Sequence, residues 1–450
     1  LRDLQEFNLI PLAISIAYPD FGSELEQEGR EVSELNSLDE SIFSTSTTLL
    51  ERRQAIMMKR DLDYTSTQKE IAGFVRKLSA KYDRKYMLSK IEEGAPFPRE
   101  LWDEISKAGY FGMIIPEKYG GNDLSYDDLR VFIEELSRNG IATLHLISFF
   151  MDCILVGHGS EKLKKMFWPN MAKGEYWSFA ITEPDAGTNS FKMRTLAVKD
   201  GKNYVINGQK LFITGGDESK YILLVCRTLP YEKVKDKDKK NGFSLFVVDS
   251  HSPGITMQRQ DTATYFPERQ YTVFFDNVKV PQENLIGQEN EGFKYLFSGL
   301  NLERIIIAAF TLGLGEYVYE KGVKYAQTRN IFGDPIGSYQ GIQHMLSRAF
   351  VQLKMAGLTN QRAARALDAG EDMRLVGMYA NMAKLACTEA AFVAGDVAFQ
   401  VHGGYGITRE YDIINFLPMI RTMRVAPINN EMILNYIGEH FLKLPKSYKS

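Results

Sequence analysis

FAITEPDAGTNS (Phe179–Ser190) and KLFITGG (Lys210–Gly216) each end a run of alternating β-branched and aromatic residues, Tyr176–Thr182 and Tyr204–Thr214. Such alternation predicts strands. Glu183-Pro184-Asp185-Ala186-Gly187 breaks the first strand into a tight loop. That loop offers backbone N–H groups and the hydroxyls of Thr182, Thr188 and Ser190, suitable partners for a flat heteroaromatic ring and a phosphate. Phe212 and Thr214 add a ring face and a further hydroxyl. Either piece taken alone reads as a β-turn or an ordinary strand.

The period of two continues through Tyr221–Cys226, Phe243–Val248, Ile255–Gln258 and Thr272–Phe275, so residues 175–285 form a β-domain. Lys233–Asn241, KVKDKDKKN, is a charge run; it reads as a solvated hairpin loop ahead of a docking patch. On both sides the pattern is helical. In residues 57–174, Ile71, Phe74, Val75 and Leu78 recur at i, i+3, i+4 and i+7, one apolar face. Thr65 resembles a helix start without a clean capping box, and Pro96–Gly109 opens on prolines and stops at Gly. Tyr126–Arg138 and Ile141–Val156 are further helices. In residues 286–450, Ile342, Met345, Ala349, Leu353 and Ala356 form one stripe. Met378, Met382, Leu385, Phe392 and Val393 form a second, on whose face Glu389 needs a partner if buried. Long helices with short loops make a bundle.

The chain has 450 residues, 44% hydrophobic and 25% charged, enough for two or three domains with a sizeable core. A net charge of −3 gives no general attraction to nucleic acid. Cys153, Cys226 and Cys387 are widely spaced, with no disulfide or zinc pattern, which fits a reducing, cytoplasmic compartment in a bacterium or archaeon. The six histidines make no metal-ligand cluster. No apolar run approaches the roughly 20 residues that span a bilayer, so no membrane partner is expected.

Residues 1–56 read differently. Ser, Thr and acidic residues dominate Ser33–Thr48, a composition that buries little surface. Arg52-Arg53 precedes Met57-Met58 and is encodable as AGGAGG, a bacterial ribosome-binding sequence. We expect translation to start at Met57 or Met58, with a genuine flexible extension as the alternative; codons other than AGG at both arginines would remove the argument.

T-E-P-x-A-G-[ST] some distance ahead of [WF]-I-T-[NG]-G resembles the signature of the acyl-CoA dehydrogenase family. The resemblance runs over nearly the whole chain beyond the N-terminal segment. It implies an α+β multidomain fold: an N-terminal all-helical domain, a middle small β-barrel or sandwich, and a C-terminal four-helix-bundle-like domain. It implies FAD, held along the edge formed by Phe179, Ile181, Thr182, Gly187 and Thr188, with Thr182 and Thr214 near the reactive end of the flavin and Phe212 packed on the ring. Arg329 and Phe332 in RNIFG, Gln340, and Gln400, Gly403 and Gly404 in QVHGGYGI match the segments that reach the cofactor of a neighbouring subunit in that family. As bare patterns these are a helix end and a Gly-rich loop. His402 reads as a packing residue. The family further implies an acyl-CoA substrate, an electron-transfer flavoprotein as acceptor and a homotetramer built as a dimer of dimers. The implied pathways are fatty acid metabolism and branched-chain amino acid catabolism.

The implied reaction needs a carboxylate to remove the α-proton of a thioester, with a raised pKa and placed donors on the carbonyl. Many family members carry that Glu in a segment resembling Arg421–Met432, RTMRVAPINNEM, but here Asn430 takes its place. Asn430 retains only a backbone N–H for the carbonyl. In the isovaleryl- and long-chain branches the base sits in a segment resembling L-x-L-E-R-L, and this chain has LNLERI, Leu300–Ile305. Glu303 is therefore the expected base, with Glu431 as fallback; by spacing alone Glu303 reads as a surface or ion-paired carboxylate. Arg304, Asn301 and Thr188 match positions beside the substrate arm. The alternative on this fold is a flavin-dependent monooxygenase or a non-catalytic relative.

Overall fold

The computed structural model describes residues 64–94, 97–234, 239–263 and 266–446. The expectations for residues 1–56 and for Met57 and Met58 lie outside the described residues, as do Pro96 and part of Lys233–Asn241.

Among the described residues, six helices come first: α1 (Ser66–Lys81), α2 (Arg84–Glu92), α3 (Arg99–Lys107), α4 (Tyr126–Arg138), α5 (His145–Val156) and α6 (Glu161–Met171). Local sequence sets their ends. Thr65 does form a capping box: its hydroxyl accepts from Gln68 N–H while the Gln68 side chain accepts from Thr65 N–H. The expectation of no clean capping box is thus corrected: the amide oxygen of Gln68 at N3 serves where a carboxylate often does. Ser125 and Asp128 make a second box at α4. Gly109 stops α3 at a φ of 81°, where other residues are strained. On α1, Ile71, Val75 and Leu78 are buried.

The chain then enters one eight-stranded sheet. Its strands are β1 (Trp177–Ala180), β2 (Leu196–Asp200), β3 (Asn203–Thr214), β4 (Tyr221–Arg227), β5 (Phe243–Asp249), β6 (Ile255–Gln260), β7 (Gln270–Pro281) and β8 (Leu285–Ile286). The hydrogen-bonded order is β6-β7-β3-β2-β4-β5-β8, with β1 parallel to β4 off that path. Tyr204, Ile206, Ile222, Leu224, Phe246 and Val273 fill its core.

The final part packs α7 (Gly292–Thr328), α8 (Gln340–Asp368), α9 (Met373–His402), α10 (Ile413–Thr422) and α11 (Asn430–His440), with the two-residue strands β9 (Asn330–Ile331) and β10 (Asp334–Pro335) after α7. By length and composition α7 is apolar enough to cross a membrane, but 83% of its most apolar window is buried against protein. It packs against α4, α5, α8 and α9, so every face of it needs apolar residues.

The α8 stripe faces the core through Ala349, Leu353 and Ala356. The expected stripe on α9 is rotated. Its buried face is Ala380, Ala383, Cys387, Ala390, Ala394 and Ala398, while Met382 is exposed. Small side chains let helices approach closely: a Cβ added to Gly315 of α7 would lie 2.7 Å from Ala391 Cβ. Reading large residues as the core face fails where the packing selects small ones. All three cysteines are buried thiols outside any disulfide among the described residues.

Candidate functional site

The loop after β1 is fixed from beneath by a buried ion pair. Lys210 Nζ donates to Glu183 Oε1 at 2.8 Å and to Ile181 O at 2.9 Å, with no exposure of the lysine. Glu183 also accepts from Arg194 N–H and Thr195 N–H. Burial drives the Glu183 pKa up, but the Lys210 charge and these donors outweigh it, and the carboxyl ends below its usual range. With its underside fixed, the loop holds Gly187 and Thr188 out to solvent and leaves Thr182 half-buried.

Beside it, β3 carries a bulge. Lys210 pairs with Val273 and Ile213 with Tyr271, so Leu211 and Phe212 share one position opposite β7. Phe212 takes a φ of 57°, a strained value for an aromatic residue, and its ring is 61% exposed. The bulge N–H groups stay satisfied, Leu211 by Thr182 O and Phe212 by the Gln260 side chain. Thr214 exchanges a hydrogen bond with Gln270 at 3.0 Å, and its carbonyl accepts from Tyr176 and Ser178 hydroxyls, each at 2.8 Å. The outcome is one edge with an exposed aromatic face, Thr214 and Thr182 hydroxyls nearby, and a loop closed by mutual Glu183–Ala186 backbone bonds with Gly187 and Thr188 turned to solvent. Phe179 and Ile181 are half-buried behind it.

A second group of expected residues gathers elsewhere. Arg329, Phe332, Gln400, Gly403 and Gly404 line an open groove of about 720 Å³ together with Tyr325, Tyr339 and Tyr405. Gln340 follows Tyr339 at the start of α8 and is exposed. Phe332 is 94% exposed. A Cβ on Gly403 or Gly404 would project into open space, so bare backbone is offered to whatever occupies the groove. None of the Thr182–Phe212–Thr214 edge lines it. One chain thus carries two half-sites, an aromatic and hydroxyl edge for a planar ring and an arginine and glycine groove for a phosphate-bearing tail. Both suit the parts of a flavin dinucleotide. His402 stacks on Tyr325 at 4.4 Å between ring centroids and bonds Ala398 O, a packing role.

Glu303 lies near the start of α7, half-buried, and no hydrogen bond or ion pair holds its carboxyl among the described residues. Burial raises its pKa to about 7, while the charges of Arg304 and Lys384 pull it back down. Arg304 is buried and donates through Nη1 to Asn301 Oδ1 at 3.0 Å, leaving Nε without a partner. Glu431 is exposed on the first turn of α11.

The Asn430 side chain is fully engaged. It accepts from Lys384 Nζ at 2.7 Å and donates to Thr388 Oγ1 at 3.1 Å and Glu389 Oε1 at 2.7 Å. Its backbone N–H donates to Arg424 O, so in this conformation it is not free for a substrate carbonyl. Glu389, the carboxylate that needed a partner, finds Arg424 at 2.9 Å as well as Asn430.

Three contributors were not singled out from sequence. Lys384 is fully buried, its pKa pushed down to about 7 by burial and by Arg304. Asp152 is fully buried on α5 with neither carboxyl oxygen partnered. The Glu183–Lys210 pair is the third. Their common signal was a charged residue inside an otherwise apolar or alternating segment.

Known proteins match the chain along its helical, sheet and helical parts. "Acyl-CoA dehydrogenase, N-terminal domain" matches residues 65–175, the middle domain of the same family residues 178–278, and its C-terminal domain residues 290–442. Acyl-CoA dehydrogenase FadE12 of Mycobacterium tuberculosis is 37% identical over 384 residues, 85% of this chain and 96% of that protein. Butyryl-CoA dehydrogenase from Megasphaera elsdenii superposes with a TM-score of 0.78 at 26% identity, covering 85% of this chain and all of that one. A chain solved in work on the electron transferring flavoprotein of Acidaminococcus fermentans superposes at 0.79, also 26% identical, over 85% of this chain and all of its own length. With three consecutive domain matches laid over the helical, sheet and helical parts, and a relative 37% identical over most of both chains, the chain belongs to the acyl-CoA dehydrogenase family, flavoproteins that carry FAD.

Proposed function

We propose that this acyl-CoA dehydrogenase oxidises an acyl-CoA at its α and β carbons with Glu303 as the base. The observation that carries the reading is the state of the two family base positions. Glu303 has an unpaired carboxyl poised at a pKa of about 7. Residue 430 is an amide whose every polar group is occupied. A base needs a free, partly desolvated carboxylate, and of these two positions Glu303 has one. Glu431, exposed and on the helix surface, lacks the desolvation.

In the forward step the α C–H bond breaks and its proton passes to a Glu303 carboxyl oxygen, with the electron pair delocalising toward the thioester carbonyl. Bound FAD supplies the acceptor for the hydride leaving Cβ, which gives the trans-2-enoyl thioester. Thr182, Phe212 and Thr214 would hold the ring end and Thr188 would face the pyrophosphate and the substrate arm, while the Arg329, Gln400 and Gly403–Gly404 groove would suit the cofactor tail of a second copy. That sharing supports a homotetramer. Arg304 and Asn301 flank the thioester arm. The two electrons then pass to an electron-transfer flavoprotein.

The test is anaerobic mixing of the purified holoprotein with acyl-CoAs of graded length and branching. Flavin bleaching by wild type, reduced by about 10²–10⁴-fold in Glu303→Gln, supports the assignment. Equal bleaching by the variant rejects Glu303. Failure of every acyl-CoA, with oxygen-dependent activity from externally reduced flavin, would instead indicate a monooxygenase.

A further inference from the structure

Asp152 has no structural explanation in the fold as described. It sits in HLISFFMDCILV, the α5 helix, with no exposure and with both carboxyl oxygens unpartnered among the described residues. Buried carboxyls are ordinarily satisfied by protein, water or ligand. Its helix neighbours Met151 and Leu155 reach α7 at Gly299, where an added Cβ would lie 3.3 Å from Met151 Cγ and 2.9 Å from Leu155 Cδ2. Glu303 follows one turn later on the same face of α7. The side chain is coupled in two directions. The Glu303 charge raises Asp152, after burial, and Asp152 in turn raises the Tyr176 phenol, whose hydroxyl holds the Thr214 carbonyl. Base helix and flavin-bearing strand therefore both lie within its electrostatic reach. Burial pushes its pKa well above the usual carboxylate range and so favours the protonated form, which can both donate and accept a hydrogen bond.

We infer that Asp152 is a second carboxyl of the acyl site and hydrogen-bonds an oxygen carried by the acyl chain near the carbons being oxidised. The preferred substrates are then hydroxy- or keto-substituted acyl-CoA thioesters and not plain aliphatic ones. This rests on the dehydrogenase reading with Glu303 as base. A site built to bond a substrate oxygen discriminates strongly against a chain that lacks it, because its own polar group is left unpaired.

The experiment uses the FAD-loaded protein and pairs of acyl-CoAs of equal length, with and without a γ-hydroxyl, δ-hydroxyl or γ-keto group. Anaerobic flavin bleaching gives kcat/KM, and calorimetry gives Kd for the matching S-alkyl-CoA thioethers, which cannot be oxidised by α-proton loss. Wild type is expected to favour one oxygenated member by at least about tenfold in both measurements. Asp152→Leu should lose that preference and take the plain chain as well or better, with Asp152→Asn retaining part of it. A thermal melt of Asp152→Leu at or above the wild-type Tm shows that the loss is not unfolding. Fast bleaching by plain chains, with no oxygen preference in wild type or an undiminished one in Asp152→Leu, overturns the inference and leaves the dehydrogenase standing. Preferential binding of an oxygenated thioether without bleaching by any thioester supports Asp152 while rejecting the dehydrogenase.

Discussion

Asn429 Nδ2 donates to Thr188 Oγ1 over 3.2 Å, joining the residue that caps α11 to the loop after β1, 241 positions away. The same amide uses its oxygen to accept Met432 N–H at 2.8 Å. One side chain thus starts a helix of the C-terminal part and braces the loop after β1. Asn429→Ala should lose both functions, about 1–2 kcal/mol of stability from the cap, together with a higher KM for acyl-CoA. Thr188→Val should raise KM with a stability change of no more than about 1 kcal/mol, since its bond is exposed. Chemical denaturation and steady-state kinetics separate the two.

The pH profile follows from Glu303. A base works only when ionised, and its pKa is raised to about 7. Flavin reduction under kcat/KM conditions should therefore fall as pH drops through about 7 and level off above it. Lys384 contributes a charge that lowers the Glu303 pKa. Lys384→Met removes that charge, so the acid limb should move to higher pH. Stopped-flow bleaching across pH reads both, and an acid limb that stays in place in Lys384→Met contradicts the coupling.

Moving the base back to residue 430 should fail. In many relatives a Glu there removes the proton, but here the side chain at 430 faces Lys384, Thr388 and Glu389. The double variant Glu303→Gln with Asn430→Glu should show no recovery of bleaching over Glu303→Gln alone, and a lowered Tm from a second carboxylate set against Glu389. Recovered activity would show that residue 430 reaches the substrate.

The Glu183–Lys210 pair makes an asymmetric prediction. Lys210→Met leaves Glu183 buried without its cation and should cost about 3–5 kcal/mol. Removing both charges, as Lys210→Met with Glu183→Leu, should recover a good part of the stability, because an unpaired buried charge costs more than an apolar pair. FAD content should remain low in the double variant, since the loop also loses the Arg194 and Thr195 anchors. Urea melts and bound-flavin absorbance decide this.

Phe212 holds backbone strain of the order of 1–3 kcal/mol at its positive φ. Phe212→Gly should relieve it, so the flavin-free protein melts no lower than wild type, while FAD retention drops with the loss of the ring face. Phe212→Trp should keep the cofactor. A fall in apo Tm for Phe212→Gly would show that the ring contributes to the core, contrary to its exposure.

Local periodicity and turn chemistry were enough to order helix, sheet and helix. The alternation at 204–214 and the Glu-Pro-Asp-Ala-Gly break also placed the edge proposed for the flavin ring, because strands, loops and caps depend on neighbours in sequence. Even the Thr65–Gln68 box was available three residues apart. The bulge at Phe212 was not, since it is a mismatch in pairing with β7 and exists only between strands.

What the sequence determined by itself is that a carboxylate stands at 303 and an amide at 430, together with the order of elements carrying them. Only the tertiary structure decided that the first is left unpaired and partly desolvated and the second is locked by Lys384, Thr388 and Glu389. It likewise turned the alanines of α9 inward and left Asp152 buried without a partner. Desolvation, ion pairing and close helix approach arise between segments far apart in the chain, and each depends on what the other segment brings to the contact.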